Sequence, residues 1–163
     1  MLATMSPPAF DGEPITAGGL DALKAELFDL ETQGRREMAK RILAARELGD
    51  LKENAEYQAA KEDQAHMETK ILRLQRRLRD AVVVDESGDA GLLAFGHTAE
   101  VLDEGTGVTN TWKIVGSTEA NLSAGLLSAE SPVAKVLLGR SAGERVEVST
   151  PRGPRRLRIT RLL

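Results

Sequence analysis

Cysteine is absent from the 163 residues, which excludes disulfide scaffolds, thiolate zinc sites, iron–sulfur clusters and cysteine nucleophiles. That usage fits a cytoplasmic protein. Aromatic residues are almost as scarce. The chain has only Phe10, Phe28, Tyr57, Phe95 and Trp112, too few for a base-stacking platform on single-stranded nucleic acid. No apolar run approaches the roughly 18–20 residues that span a bilayer. The N-terminal MLATMSPPAFDGEP lacks a basic stretch followed by an apolar one, so no secretory signal is expected, and Met5 is as good a start as Met1. Net charge is −3, without the global basic field of a free duplex-DNA binder. Proline is missing between Pro14 and Pro132, so nothing of that kind interrupts a long helical stretch.

Residues 1–15 hold Pro7, Pro8, Gly12 and Pro14 and show no periodicity, which predicts a flexible leader. From Thr16 the pattern changes. Leu20, Leu23, Leu27 and Leu30 recur at 3, 4, 3, a heptad stripe that continues less strictly through Gly34, Met38, Ile42 and Ala45. After Leu48-Gly49-Asp50 a second stripe runs through Tyr57, Ala60, Gln64, Met67, Ile71, Leu74 and Leu78. Two long helices joined by about three residues must fold back antiparallel. Gly49 fits the position that ends the first helix, and Asp50 fits the N-cap of the second. Helical from Thr16 to Arg46, the first arm would reach about 46 Å at 1.5 Å per residue. Over 17–82 the charges balance, 13 basic against 13 acidic, as on a solvated coiled coil with interhelical ion pairs.

Beyond Ala81 the helical period is lost. Residues 83–97 read as a linker, and 98–163 as a compact domain of short strands: Thr98–Leu102, Thr109–Val115, Arg145–Ser149 and Leu157–Leu162. Ser131-Pro132 before Val133–Gly139 reads as a short helix with Ser at the N-cap, Pro at its first position and Gly at its stop. The expected class is therefore α+β, an antiparallel coiled-coil hairpin over 16–82 with its tip at 49–54, followed by a small C-terminal domain.

The chemistry concentrates at that tip. Asp50 and Glu53 are three apart at a helix start, a spacing that makes side chains neighbours. Two carboxylates so placed could share one hard cation such as Mg²⁺. The same Asp-x-x-Glu pattern is also a capping box, in which Glu53 reaches back to the N-cap backbone and is less available to a metal. Two exposed carboxylates make a poor isolated Mg²⁺ site, so a metal held here needs further ligands from a partner.

The stretch Gly49–Gln64, GDLKENAEYQAAKEDQ, resembles the tip signature of the bacterial Gre transcript cleavage factors of the GreA type. FGHTAEVLD (95–103), KIVGSTEAN (113–121) and SPVAKVLLGRSAGERVEVSTPRG (131–153) are similar to that family's C-terminal domain, in order and spacing. The resemblance covers roughly 16–163. It implies a coiled coil that enters the secondary channel of RNA polymerase and an FKBP-like C-terminal domain that docks beside it. It also implies stimulation of the polymerase's own cleavage of backtracked RNA, which rescues arrested complexes. The factor is then not itself an enzyme. The resemblance makes Asp50 and Glu53 the acids that position Mg²⁺ shared with the polymerase, and places Arg46 and Lys61 against the displaced RNA 3′ segment; Lys61 stands at a family arginine position. Lys52 lies beside them and could offset phosphate charge. Ser131 and Pro132 match the docking loop. A monomer in the cytoplasm is expected. A channel-binding inhibitor without cleavage activity is the alternative, and an adaptor using the hairpin as a generic coiled coil is a third. Gln58 stands where many members carry histidine.

Other candidate chemistry is thin. His66 and His97 have no metal-ligand spacing, and no P-loop, dinucleotide fingerprint or Gly-x-Ser-x-Gly is present. Arg152, Arg155, Arg156, Arg158 and Arg161 form a cluster without acids. A solvated strand face accounts for it, and a polymerase or nucleic-acid contact is the alternative.

Overall fold

The computed structural model describes residues 12–50, 54–84 and 91–163. Among these, no helix is long and apolar enough to cross a membrane. The chain divides into a helical unit, Gly18–Ala81, and a second unit built from the segments on either side of it, up to Ala17 and from Val82 onward.

The first arm of the helical unit is α1 (Ala17–Asp29), a π-helical turn (Leu30–Gly34) and α2 (Arg35–Arg46); the second is α3 (Ala55–Asp80). The π turn explains why the heptad stripe loosens. Gly34, Met38 and Ile42 are spaced by successive fours where a heptad would return a three, one residue too many. A single wide turn absorbs the extra residue and keeps Ile42 and Ala45 pointing inward with Leu23 and Leu27. Gly34 ends that turn against α3. A Cβ there would lie 3.2 Å from Met67 Sδ, so glycine allows close approach. Across the seam α3 buries Ala60, Ile71 and Leu74. A fully buried Leu or Ile of this kind contributes about 1.5–3 kcal/mol.

Ion pairs flank the seam: Arg35 with Glu68, Arg41 with Asp63 and Glu56, and Lys70 with Glu26. Arg35 is bidentate, with both nitrogens 2.9 Å from Glu68 oxygens. Its guanidinium holds the Glu68 carboxyl below the usual range. These exposed pairs specify antiparallel register more than they stabilise. Each is centred in sequence within a few residues of Asp50, which fixes where the hairpin turns.

In the second unit β1 (Glu13–Ile15) pairs with β2 (Ala81–Val83) in a two-stranded sheet. The end of the expected leader is thus a strand. Three residues are too short to show a period, and its burial comes from distant partners: Ile15 is 2% and Thr16 3% exposed. Thr16 donates through its backbone N–H and its hydroxyl to the Glu119 carboxylate, which also accepts from Gly116 N–H. Gly116 lies flat against the Pro14 carbonyl, where any Cβ would overlap that oxygen.

The main sheet has the order β5-β4-β3-β7-β6, from β3 (Thr98–Asp103), β4 (Thr109–Val115), β5 (Leu126–Ser128), β6 (Arg145–Thr150) and β7 (Gly153–Leu162). All neighbours are antiparallel except β4 and β5. Alternation puts Ala99, Val101, Ile114, Val148, Leu157 and Ile159 on the inner face, where α4 (Pro132–Leu137) covers them with Ala134 and Leu137. Ser131 caps α4 by accepting from Ala134 N–H at 3.1 Å, and Pro132 opens it. Part of the expected linker belongs to this core. Leu93 is 1% exposed, its N–H donates to Arg140 O, and its carbonyl accepts from Gly139. Residues 85–90 of that linker lie outside the described residues. The last strand starts earlier than expected, because Pro154 and the arginines hide a period-two pattern whose inward members are Arg155, Leu157 and Ile159.

Asp103 ends β3 in a buried position, 3% exposed. Arg155 donates to it twice, at 2.9 and 2.6 Å, and the backbone N–H groups of Gly105 and Thr106 add to that. The Arg155 hydrogen bonds, aided by those two amides, hold its carboxyl below the usual aspartate range against the opposing effect of burial. A carboxyl depressed in the folded state adds stability that is present above its unfolded value, about 3.9, and lost as pH falls through the lower folded value. Acid unfolding of this unit should therefore weaken in Asp103→Asn. The stability difference between wild type and variant, followed by urea midpoints, should be constant from pH 7 to about 5 and shrink below about 4.

Candidate functional site at the hairpin tip

The connection between α2 and α3 runs over residues 47–54, longer than the three-residue link expected. Glu47 N–H still bonds Leu43 O and Leu48 N–H bonds Ala45 O, so the first helix unwinds gradually. Gly49 follows at φ +132°, a conformation open to glycine and strained for other residues. Asp50 comes next, exposed.

Asp50 is not the N-cap of the second helix. That role belongs to Asn54, whose side-chain oxygen accepts from Tyr57 N–H at 3.0 Å. Asn ranks with Asp as a capping residue, and both stand in the motif; spacing alone could not separate them. The capping-box reading of Asp50 with Glu53 therefore falls, since the helix begins at Ala55. Asn54 also reaches backwards, its amide nitrogen donating to Ala45 O at 2.5 Å. One side chain thus adds a second donor to a carbonyl at the end of α2 and satisfies a free amide at the start of α3, clasping the two ends of the turn. Sequence reasoning missed it; its signal was an asparagine three residues ahead of Tyr57. Asn54→Ala should cost about 1 kcal/mol and quicken amide exchange at Tyr57. Unchanged exchange there would show that the clasp does not hold the turn.

The basic candidates divide. Arg46, exposed in the last turn of α2, lies over the Tyr57 ring at 5.8 Å to the centroid, a cation–π contact that ties the guanidinium to the tip. Lys61, one turn further along α3, is exposed and bonds Gln64 Oε1 at 3.0 Å. Lys52 and Glu53 lie outside the described residues. Ser131 and Pro132 belong to the other unit, where the Ser131 hydroxyl also donates to Ser128 O at 2.7 Å.

The described residues contain no group of three or more His, Asp or Glu able to hold a metal ion. Asp50 alone cannot enclose Mg²⁺, which takes six oxygen ligands and sheds its waters reluctantly. What the tip offers is an exposed carboxylate on a braced turn with a cation close by on α2. That donor set suits a metal whose other ligands come from elsewhere.

A braced helical hairpin with an acidic turn, inserted into a small α+β unit, places the chain in a class of two-part factors whose sequence families are well defined. Residues 13–83 match the family described as "Transcription elongation factor, N-terminal", and 89–162 match "Transcription elongation factor, GreA/GreB, C-term". The chain belongs to the GreA/GreB family of transcription elongation factors. It is 49% identical over 142 residues to transcription elongation factor GreA of Nautilia profundicola, covering 86% of this chain and 88% of the relative. It is 43% identical over 146 residues to the GreA of Ruegeria pomeroyi, covering 90% and 94%. Among solved structures it is similar to the GreA factor homolog 1 (Gfh1) protein of Thermus thermophilus, at 27% identity, TM-score 0.42, and 93% and 99% coverage.

Proposed function

We propose that this elongation factor acts on RNA polymerase, placing its hairpin tip at the polymerase active centre and stimulating the enzyme's own cleavage of backtracked RNA. The observation that carries the reading is the exposure of Asp50 at the apex of a turn that Asn54 clasps. A carboxylate that must meet a metal inside another macromolecule needs reach, a fixed position and no competing structural task as a cap. Asp50 and Glu53 would hold Mg²⁺ together with carboxylates of the polymerase. When bound, that ion supplies Lewis-acid activation of water and charge stabilisation at the leaving oxygen. Arg46, fixed by the Tyr57 ring, and Lys61 and Lys52 counter RNA phosphate charge. Ser131 and Pro132 form the docking loop, with Ser131 itself held as the α4 cap.

In this reading the protein is a monomer of the cytoplasm and performs no catalysis alone. The test is a stalled, backtracked elongation complex with a labelled transcript. Added factor should shorten the RNA from its 3′ end and restore elongation. Suppressed elongation without shortening would overturn the proposal in favour of a channel-binding inhibitor.

A further inference from the structure

The arginines of β7 are not an evenly solvated strand face. Alternation turns Arg156 and Arg158 to the outer side of the sheet, opposite α4. A register shift between Glu100 and Val101 then brings Arg161 opposite Glu100, which it bonds at 2.9 Å. On the neighbouring strand Arg145 stands directly opposite Arg158. Like charges so paired are destabilising. Arg145 is drawn away to Glu104 at 2.9 Å, and Arg156 has only a long contact with Glu147, at 3.7 Å. The Arg158 and Arg152 side chains make no hydrogen bond or ion pair among the described residues. The sheet and its β6–β7 turn therefore keep two guanidinium groups without counter-charge, Arg158 facing another arginine and Arg152 in the turn.

This face runs into a groove of about 1180 Å³ between the β3–β4 and β6–β7 turns, lined by Arg152, Arg155 and Arg156 with Thr106, Val108 and Asn110. Arg155 is committed to Asp103, and Glu104 to Arg145, so both acids of the groove are already neutralised. What remains is positive. Alternate residues along a strand are about 6.6–6.8 Å apart, so Arg156 and Arg158 present a regularly spaced row.

We propose that this groove and the outer face of β6 and β7 bind the sugar–phosphate backbone of duplex nucleic acid through Arg152, Arg156 and Arg158. A backbone ligand fits better than a protein. A docking surface for a folded partner carries an apolar core. Here Val108, Pro151 and Pro154 give the groove some apolar lining between the arginines, but among the described residues none of the exposed large apolar side chains lies on the outward positions of β6 or β7. A duplex fits better than a single strand, because no aromatic side chain lines the groove for base stacking. The contact reads charge and not sequence, and it is independent of the role proposed for the tip.

The experiment is fluorescence anisotropy of a labelled DNA duplex of arbitrary sequence, about three helical turns long, with the full chain and no polymerase. Three phosphate contacts give a slope of log K against log salt of about −2.7, hence about 40-fold weaker binding at 200 mM than at 50 mM. The double variant Arg152→Glu, Arg158→Glu should bind at least about tenfold more weakly with a slope nearer −1. It places an acid opposite Arg145, so the fold should be kept, as an unchanged melting temperature would verify. Absence of saturable binding at low salt, or equal binding by the variant, overturns the proposal. So does a single strand that binds as well as the duplex, or polyglutamate that displaces the duplex as effectively as unlabelled DNA at equal charge; the latter would make the face a site for an acidic protein segment. Transcript shortening by the same variant reports on the tip separately.

Discussion

Asp50→Asn combined with Glu53→Gln is expected to abolish transcript shortening in backtracked complexes, a loss of about 100-fold or more, while association with RNA polymerase survives. Both substitutions keep shape and remove charge, so under the proposed function they delete the anionic character of two metal ligands. Even outer partners of metal ligands commonly cost 10–100-fold when replaced, and direct ligands stand at or beyond the upper end of that range. The structure sharpens the expectation. Were Asp50 the helix cap, its replacement would also loosen α3 and confuse lost chemistry with lost structure. The cap is Asn54, bonded to Tyr57 and Ala45. The double variant should therefore keep the α3 cap, seen as unchanged amide exchange at Tyr57 and a melting temperature that still reports a folded chain. Measuring cleavage rate and melting temperature on the same preparation separates the two causes. Cleavage at near wild-type rate would remove the carboxylates from the mechanism.

The second large effect is expected far from the tip. Gly116→Ala puts a methyl group where the Pro14 carbonyl already lies. The obstacle is backbone, not the end of a flexible side chain, so relief requires the segment around Pro14 to lift. Gly116 N–H, Thr16 N–H and the Thr16 hydroxyl all converge on Glu119, and moving one partner disturbs the others. Overpacking of this kind costs about 1–3 kcal/mol, and a rigid obstacle favours the upper end. Urea unfolding should show that loss, with faster amide exchange at Thr16 and at Val84, whose N–H bonds Ile15 O. A wild-type midpoint would mean that β1 is not seated on the turn at residue 116.

The long helices were legible because burial repeats along them: on α3 Ala60, Ile71 and Leu74 are buried, with Gln64 and Met67 half-buried between them. The π turn was legible only as a loosened stripe, since an extra residue in a heptad announces a defect without saying how the backbone absorbs it. The capped helix α4 was legible from Ser131, Pro132 and Gly139, whose constraints are local. By contrast the end of β1 and Leu93 bond residues roughly 100 and roughly 50 positions away, respectively, which no short window contains. At the tip, motif and turn position could be read directly. The choice of cap could not, because Asn54 declares itself only through its bond back to Ala45. The acid, RNA-contact and docking roles came from family resemblance, because their partners lie in another macromolecule.

The hairpin leaves the second unit just after β1 and returns to it at β2, and those two strands are hydrogen-bonded neighbours. As a slack chain, the roughly 65 residues between them would oppose that pairing with a closure entropy of about 3–4 kcal/mol. Zipped into antiparallel helices, they deliver their own ends side by side and most of that opposition vanishes. The arm is therefore also an assembly jig: its early, local folding prepares the strand pair that completes the unit on which it is mounted.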